Sequence, residues 1–341
     1  MNIYEKLPKA ILPWYGEHKR DLPWRQDTLP YHIHLSEIML QQTRVEAVKG
    51  YYTRFLQALP TVEALANADD ELLQKLWEGL GYYSRVRNLK KAARVIVEGY
   101  GGSYPQTYEE VLGLPGVGPY TAGAICSIAF GQKTPAVDGN VLRLISRLTD
   151  DATPIDDRAF VKKVQEELAA TYPEDAGAYT QALMELGATI CGPNRAPDCE
   201  NCPCKTFCLG YGRGTAATLP KKTPKRPRRR EQYTVFILRC GNRYALQKRQ
   251  NKGLLAGLWQ FPNVPGLSEP EQAVEIVGQV REILRQTEMN HIFTHIEWQM
   301  RGIYLEVERE IDGYTWLTAE EIDAQVALPT AFRQFWDNRI E

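Results

Sequence analysis

Hydrophobic and polar positions follow two different patterns along this chain. Up to about residue 208, apolar residues recur at spacings of three and four, interrupted by Gly or Pro, as in 62–78 (VEALANADDELLQKLWE), 85–99 and 158–171. That period lays one face of a helix against a core and predicts an all-helical first part. After Glu231 the pattern changes to short runs, YTVFILRC, RYALQKR, HIEWQMRGIYLEV and GYTWL, with a more helical stretch near 270–286. These read as strands, so the second part is predicted to be α+β. The stretch LGYGRGTAATLPKKTPKRPRRR between them is rich in Gly, Pro and charge and has no apolar period, which marks a linker. The expected organisation is multidomain: an all-α domain over 1–208, a linker over 209–231 and an α+β domain over 232–341. No internal repeat at a fixed period is visible.

Composition agrees with two ordinary globular domains: 341 residues, 43% hydrophobic and 24% charged. No apolar run reaches the roughly 18 residues of a membrane span, and the start MNIYEKLPKAILPWY has no basic segment leading into an apolar one. A cytoplasmic protein without a membrane partner is expected. The net charge of −1 hides an uneven balance, because 221–230 (KKTPKRPRRR) holds seven basic residues and no acid. A patch of this kind binds phosphates whatever the total charge.

Four of the seven cysteines stand in the spacing C-x7-C-x2-C-x5-C, as Cys191, Cys199, Cys202 and Cys208, with Cys204 inside the last gap. Bunching of thiols in a cytosolic chain favours a metal over disulfides. Four thiolates suit zinc or an iron–sulfur cluster, and spacing alone does not choose between them. Cys126 and Cys240 read as small buried hydrophobes. A second signal is LPGVGPYTAGAI (114–125), where a glycine turn joins two helical stretches and can bring backbone N–H groups close to an anion. Twenty residues after Gly118, Asp138 precedes a further helix, a position that also suits an N-cap.

The order of these parts resembles the helix-hairpin-helix DNA glycosylases, and in particular the adenine DNA glycosylases of the MutY family. The resemblance is carried by LPWR (22–25), LSEIMLQQTRV (35–45), WEGLGYYSRVRNL (77–89), LPGVGPYTAGAI, AVDGNVLR (136–143) and the four-cysteine loop. In the second domain it is carried by GLLAGLWQFP (253–262) and FTH (293–295), which are similar to a Nudix-like lesion-recognition domain. It implies a monofunctional base-excision enzyme that removes adenine opposite 8-oxoguanine, or opposite G, from double-stranded DNA. A monomer associated with the nucleoid through DNA is expected.

The resemblance also implies residue roles. Glu37 is the acid that protonates the adenine, which needs a carboxyl raised by an apolar setting; Ile38, Met39 and Leu40 are compatible. Asp138 stays ionised and stabilises the oxocarbenium-like sugar. Arg25, Leu40, Gln181 and Asn140 line the adenine pocket or support Asp138, and Thr43 counts among the DNA-binding residues. Gln42 and Tyr82 wedge into the stack as the base leaves it. The backbone at Gly116 and Gly118 holds phosphate, and Phe293, Thr294 and His295 reach 8-oxoguanine. A 4Fe-4S cluster is implied on Cys191, Cys199, Cys202 and Cys208. The first cysteine gap, seven residues where six is commoner, makes Cys204 an alternative ligand.

Two rival activities are weighed on the same residues. The Nudix box G-x5-E-x7-R-E-x2-E-E-x-G is missing, since VGQVREILRQTEMN lacks the paired acids and final Gly, so pyrophosphate hydrolysis is not expected. A lyase would carry a nucleophilic lysine two places past the hairpin's last Gly; Tyr120 stands there instead.

Overall fold

The computed structural model describes residues 2–193, 196–224 and 227–340. Two positions of the cysteine loop (194 and 195) and two of the basic run (225 and 226) therefore lie outside the described residues. The chain separates into two compact units, residues 1–67 with 87–224 and residues 68–86 with 225–341. The sequence assigned 68–86 to the helical part; here this stretch groups with the sheet.

The helical unit is built around the helix Pro119–Phe130, which is apolar on nearly every side, with Thr121 to Ser127 buried. A helix hydrophobic all round belongs in a core, and it packs against Pro30–Leu40 and Ala176–Thr189. Ala176–Thr189 also packs on Gly139–Thr149. Four elements thus converge, and each carries one or more of the polar residues singled out above. The hairpin joins Tyr108–Leu112 to Pro119–Phe130. Thr107 opens the first helix with a capping box to Glu110, and Pro119 starts the second behind Gly118. Gly116 has φ +78°, and a Cβ there would lie 2.6 Å from Cβ of Asn88, so both the turn and the close packing require glycine.

The helical period read over 62–78 resolves into two helices, Val62–Asn67 and Asp70–Leu76. Asp69 divides them because its carboxylate accepts from the backbone N–H of Glu71 and Leu72, and such a cap starts a new helix.

The second unit holds a mixed sheet of β1 (Arg229–Cys240), β2 (Arg243–Lys248), β3 (Trp259–Gln260), β4 (Asn263–Pro265), β5 (Val280–Ile292), β6 (Ile296–Val307) and β7 (Thr315–Thr318). Its order is β3-β2-β1-β6-β5, with β4 on β1 and β7 on β2; β1 and β6 are parallel and every other recorded pair is antiparallel. Val235 and Ile237 of β1 face one core with Trp298, Phe332 and Trp336, while Phe236 and Leu238 face another with Ile303 and Trp316. Burial on both faces explains the unbroken apolar run of β1. The strand starts at Arg229, so the end of the basic run is sheet. Residues 68–86 attach through Glu71, which accepts from Lys248 Nζ and from Trp259 Nε1, and through Glu78, which accepts from the Leu328 N–H at 3.0 Å.

The helical stretch expected near 270–286 is corrected. The helix is Pro270–Val277, closed by Gly278 at φ +65°, and Val280–Ile292 is strand β5. The helix formers Arg281, Glu282, Leu284 and Arg285 are overruled by antiparallel pairing with β6 along nearly the whole strand. Among the described residues, no helix is long and apolar enough to cross a membrane.

Candidate active site

A cavity of about 540 Å³ in the helical unit is lined by Arg25, Glu37, Leu40, Gln42, Thr43, Tyr120, Asp138, Asn140 and Gln181. Nine predicted site residues from across 25–181 thus meet at one place. Gly116 and Gly118 do not line it; they form the hairpin turn.

Glu37 sits on Pro30–Leu40 and is 6% exposed. Its carboxyl is pushed up to about 7: burial raises it, the Tyr120 hydroxyl that donates to Oε2 pulls it down, and Asp138 pushes it up again. Of the apolar neighbours expected to surround Glu37, only Leu40 lines the cavity; Leu22, Trp24, Ile33, Val45, Ile128 and Met184 are among the other apolar residues of its wall. Tyr120 also reaches Met184 Sδ at 3.4 Å. Its phenol is held well above the ordinary value by burial and by the two carboxylates, so it stays a donor.

Asp138 is both an N-cap and a cavity residue. Oδ1 accepts from the N–H groups of Asn140 (2.9 Å) and Val141 (2.8 Å), opening helix Gly139–Thr149, while Oδ2 accepts from Asn140 Nδ2 at 2.6 Å. Burial raises this carboxyl above the usual range, and the three N–H donors together with Arg143 counter it by favouring the anion. Asn140 is in turn fixed by Arg143 Nη2, which donates to its Oδ1 at 2.8 Å and to the Gly187 carbonyl at 2.6 Å. Arg143 Nε reaches the Cys191 carbonyl at 2.8 Å. A run of hydrogen bonds therefore leads from Cys191 to Asp138.

Arg20, Glu185 and Gly187 were not singled out in the sequence. Glu185, 1% exposed, accepts from Arg20 Nε (2.6 Å), Arg20 Nη2 (2.9 Å) and Arg25 Nη2 (2.8 Å). Burial alone would raise Glu185, but the two guanidiniums bring it below the ordinary carboxylate value. Gly187 lets two helices touch, since a Cβ there would lie 2.8 Å from the Asn140 carbonyl oxygen. Nothing in the local sequence shows that Glu185 is buried.

Gln42 and Tyr82 share a feature: both adopt the left-handed backbone region, at φ +58° and +47°. This is uncommon for residues other than glycine and concentrates at functional turns. In the sheet unit, Phe293, Thr294 and His295 form the tip between β5 and β6, and the Tyr82 hydroxyl lies 2.8 Å from Thr294 Oγ1. Phe293 is seated between His291 and Trp298, at ring distances of 4.5 and 4.9 Å. Arg228 Nε donates to its carbonyl at 3.1 Å, and Arg229 N to that of His295 at 3.0 Å.

The four predicted ligand cysteines line a single separate cavity with Arg147, Lys205 and Tyr211. Cys204 is fully buried and does not line it. Arg147 Nη1 points at Cys191 Sγ from 3.2 Å, a contact that suits a thiolate. Among the described residues, no three His, Cys, Asp or Glu side chains converge as a single-metal site would need. Four thiols around one cavity suit zinc or an iron–sulfur cluster.

Residues 35–170 match the family of HhH-GPD superfamily base excision DNA repair proteins, and residues 234–338 match the NUDIX domain. The adenine DNA glycosylases of Rattus norvegicus and Homo sapiens are 36% and 35% identical over 97% and 95% of this chain, and 78% and 72% of theirs. That of Buchnera aphidicola subsp. Baizongia pistaciae is 31% identical over 88% of this chain and 86% of its own. Among solved structures, a thermostable thymine-DNA glycosylase superposes with a TM-score of 0.57 at 30% identity, covering 62% of this chain and 97% of that one. Endonuclease III in a non-covalent complex with DNA shares the helical fold, with a TM-score of 0.53 at 22% identity over 63% of this chain and 99% of that one. With relatives matched along nearly the whole chain, a helix-hairpin-helix unit and a Nudix-like sheet, this chain belongs to the adenine DNA glycosylases, hydrolases of N-glycosyl bonds in base excision repair.

Proposed function

We propose that this glycosylase removes adenine opposite 8-oxoguanine, and less efficiently opposite G, by hydrolysis alone, with Glu37 as general acid and Asp138 as stabiliser of the sugar cation. The observation that carries the reading is the pairing of two carboxyls in one cavity in different settings. Glu37 is poised near 7 and held by Tyr120, and Asp138 is held by donors that favour its anion. Two carboxyls so separated in environment divide acid and electrostatic work between them.

The steps rest on the residues that line the cavity. Tyr120 donates to Oε2 of Glu37, so the acidic proton belongs on Oε1 and is available to a ring nitrogen of the base. Protonation makes adenine a better leaving group while positive charge grows on the sugar. Asp138, oriented by Asn140 and by its cap bonds, presents negative charge to that cation without having to reorganise. Water then attacks the sugar. Tyr120, where a lyase carries lysine, cannot form an imine, so the abasic strand stays intact.

The other roles complete the reading. Gln42 and Tyr82 fill the space left by the extruded base, the hairpin amides around Gly116 and Gly118 hold phosphate, and Thr43 contacts the DNA. Arg25, Leu40 and Gln181 shape the adenine pocket, and Phe293, Thr294 and His295 meet the 8-oxoguanine. Cys191, Cys199, Cys202 and Cys208 would hold a 4Fe-4S cluster, which supplies a covalent brace for its loop. Arg143 would carry that order to Asn140.

The test is incubation of pure protein with duplexes containing A opposite 8-oxoguanine, A opposite G, T opposite G, and thymine glycol, with and without alkali. Strand breaks after alkali, at the adenine duplexes and fastest opposite 8-oxoguanine, are expected. Breaks without alkali, or strong borohydride trapping, would show a lyase and refute the hydrolytic reading.

A further inference from the structure

A second cavity of about 610 Å³ adjoins the first within the helical unit, and Arg20, Arg25, Ile128 and Gln181 face both. These four side chains are the partition between the two chambers. Its two arginines are held by ion pairs. Arg20 and Arg25 are tied to the buried Glu185 by three charge-assisted hydrogen bonds, and Arg25 Nη1 also donates to the Arg20 carbonyl at 3.1 Å. Gln181 is held differently. Its amide is held by a hydroxyl, Tyr15 OH to Oε1 at 3.1 Å, and by a long bond from Nε2 to the Gly177 carbonyl at 3.4 Å. Both are neutral, and the second is at the weak limit of hydrogen bonding.

The two chambers differ in what else lines them. Leu40, Gln42 and Thr43, on the turn read as DNA-facing, border only the first; Tyr15, Lys19, Thr28 and Ala178 border only the second. A base extruded from DNA arrives past that turn, and after the bond breaks the abasic strand still occupies the way it came. Free adenine is a flat, neutral molecule with donors and acceptors around its rim. The second chamber offers it a hydroxyl, an amide, guanidiniums and, in Asp21, Glu174 and Asp175, carboxylates.

We propose that the second chamber is the exit for the free purine base, gated by Gln181 against Tyr15, so that adenine leaves while the abasic DNA stays bound. The inference rests on the assignment of the first cavity to the extruded adenine. It separates release of the base from release of the strand. Gln181 then both holds the base before cleavage and opens the way after it.

The experiment uses a duplex with radiolabelled adenine opposite 8-oxoguanine under single-turnover conditions. Acid quenching reports bond cleavage, and nitrocellulose filtration, which retains protein with bound DNA, reports free adenine. With the wild type, adenine in the filtrate should keep pace with cleavage while the strand stays on the filter. Ala178→Trp and, separately, Thr28→Trp fill the second chamber alone; both should cleave at the wild-type rate and delay adenine in the filtrate by about tenfold or more. Adenine that keeps pace with cleavage in both variants, or that leaves the wild type only together with the DNA, overturns the exit. A measurement without catalysis adds free labelled adenine to each protein already bound to abasic duplex. Uptake by wild type and exclusion from the filled variants are expected, and equal uptake overturns the proposal. If the wild type shows no cleavage in the acid quench, the cavity assignment itself falls and the exit falls with it.

Discussion

The Tyr120 hydroxyl donates to one carboxyl oxygen of Glu37, and this single bond opposes the burial that raises the acid to about 7. Base release should therefore decline as pH rises through about 7, as Glu37 loses its proton. Tyr120→Phe removes a donor to the carboxylate, so the pKa of Glu37 moves upward and the alkaline limb of the single-turnover rate should shift to higher pH. An unchanged limb would separate that limb from Glu37.

The same shift has a stability consequence with a fixed sign. Glu37 ordinarily titrates near 4.5 and is raised to about 7 in the folded protein, so the native state holds its proton more tightly. The resulting stability is complete below about 4.5 and is lost as pH rises through about 7, an effect of ~3 kcal/mol for a group so fully buried. Glu37→Gln should flatten this slope while abolishing base release. Urea unfolding of the helical unit at pH 5 and pH 8, for wild type and variant, measures it.

Gly187→Ala should lower base release by about tenfold to a hundredfold with little change in DNA affinity. The added methyl would push Asn140 away from Asp138, and small misplacements at a reacting centre cost rates of that order. A wild-type rate in single turnover would show that Asn140 does not need its present position.

Replacing Cys202 with Ser should remove iron, visible absorption and folded yield together, whereas Cys204→Ser should keep all three. Cys204 is buried outside the cavity that the other four thiols line. Iron content and the absorption spectrum of the two purified variants decide this, and loss of colour in Cys204→Ser would make it a ligand.

Thr294→Ala should narrow the preference for adenine opposite 8-oxoguanine over adenine opposite G by about tenfold, leaving the A:G rate nearly intact. The hydroxyl is exposed at a hairpin tip and meets Tyr82; as an 8-oxoguanine contact it would matter only for that partner. Equal loss on both duplexes would indicate a general role in DNA binding.

The candidate cavity was legible because its main residues stand in short local signals: an acid in LSEIML, a glycine turn followed by Tyr120, and an acid before a helix. The expectation of two fold classes also held. Glu185 was not legible, because a glutamate in a helix reads as solvent-facing and its burial depends on Arg20 and Arg25 some 160 residues earlier. Strand β5 was misread for a similar reason: good helix formers were forced into a sheet by a partner strand. For Asp138, the N-cap reading does not compete with a place in the cavity, since the residue caps its helix through Oδ1 and lines the cavity as well.

The grouping of residues 68–86 with the sheet changes what a truncation would mean. A cut in the basic linker looks like a clean separation of two modules, yet it would leave helix Asp70–Leu76 and the Tyr82 turn on the helical fragment without Lys248, Trp259, the Leu328 amide and Thr294. The fragment would thus lose order at a turn assigned to base extrusion, and a protease should cut it there while sparing the intact chain. Weakened mismatch selection in such a fragment would report two injuries at once. Point substitutions at the hairpin tip are the cleaner dissection.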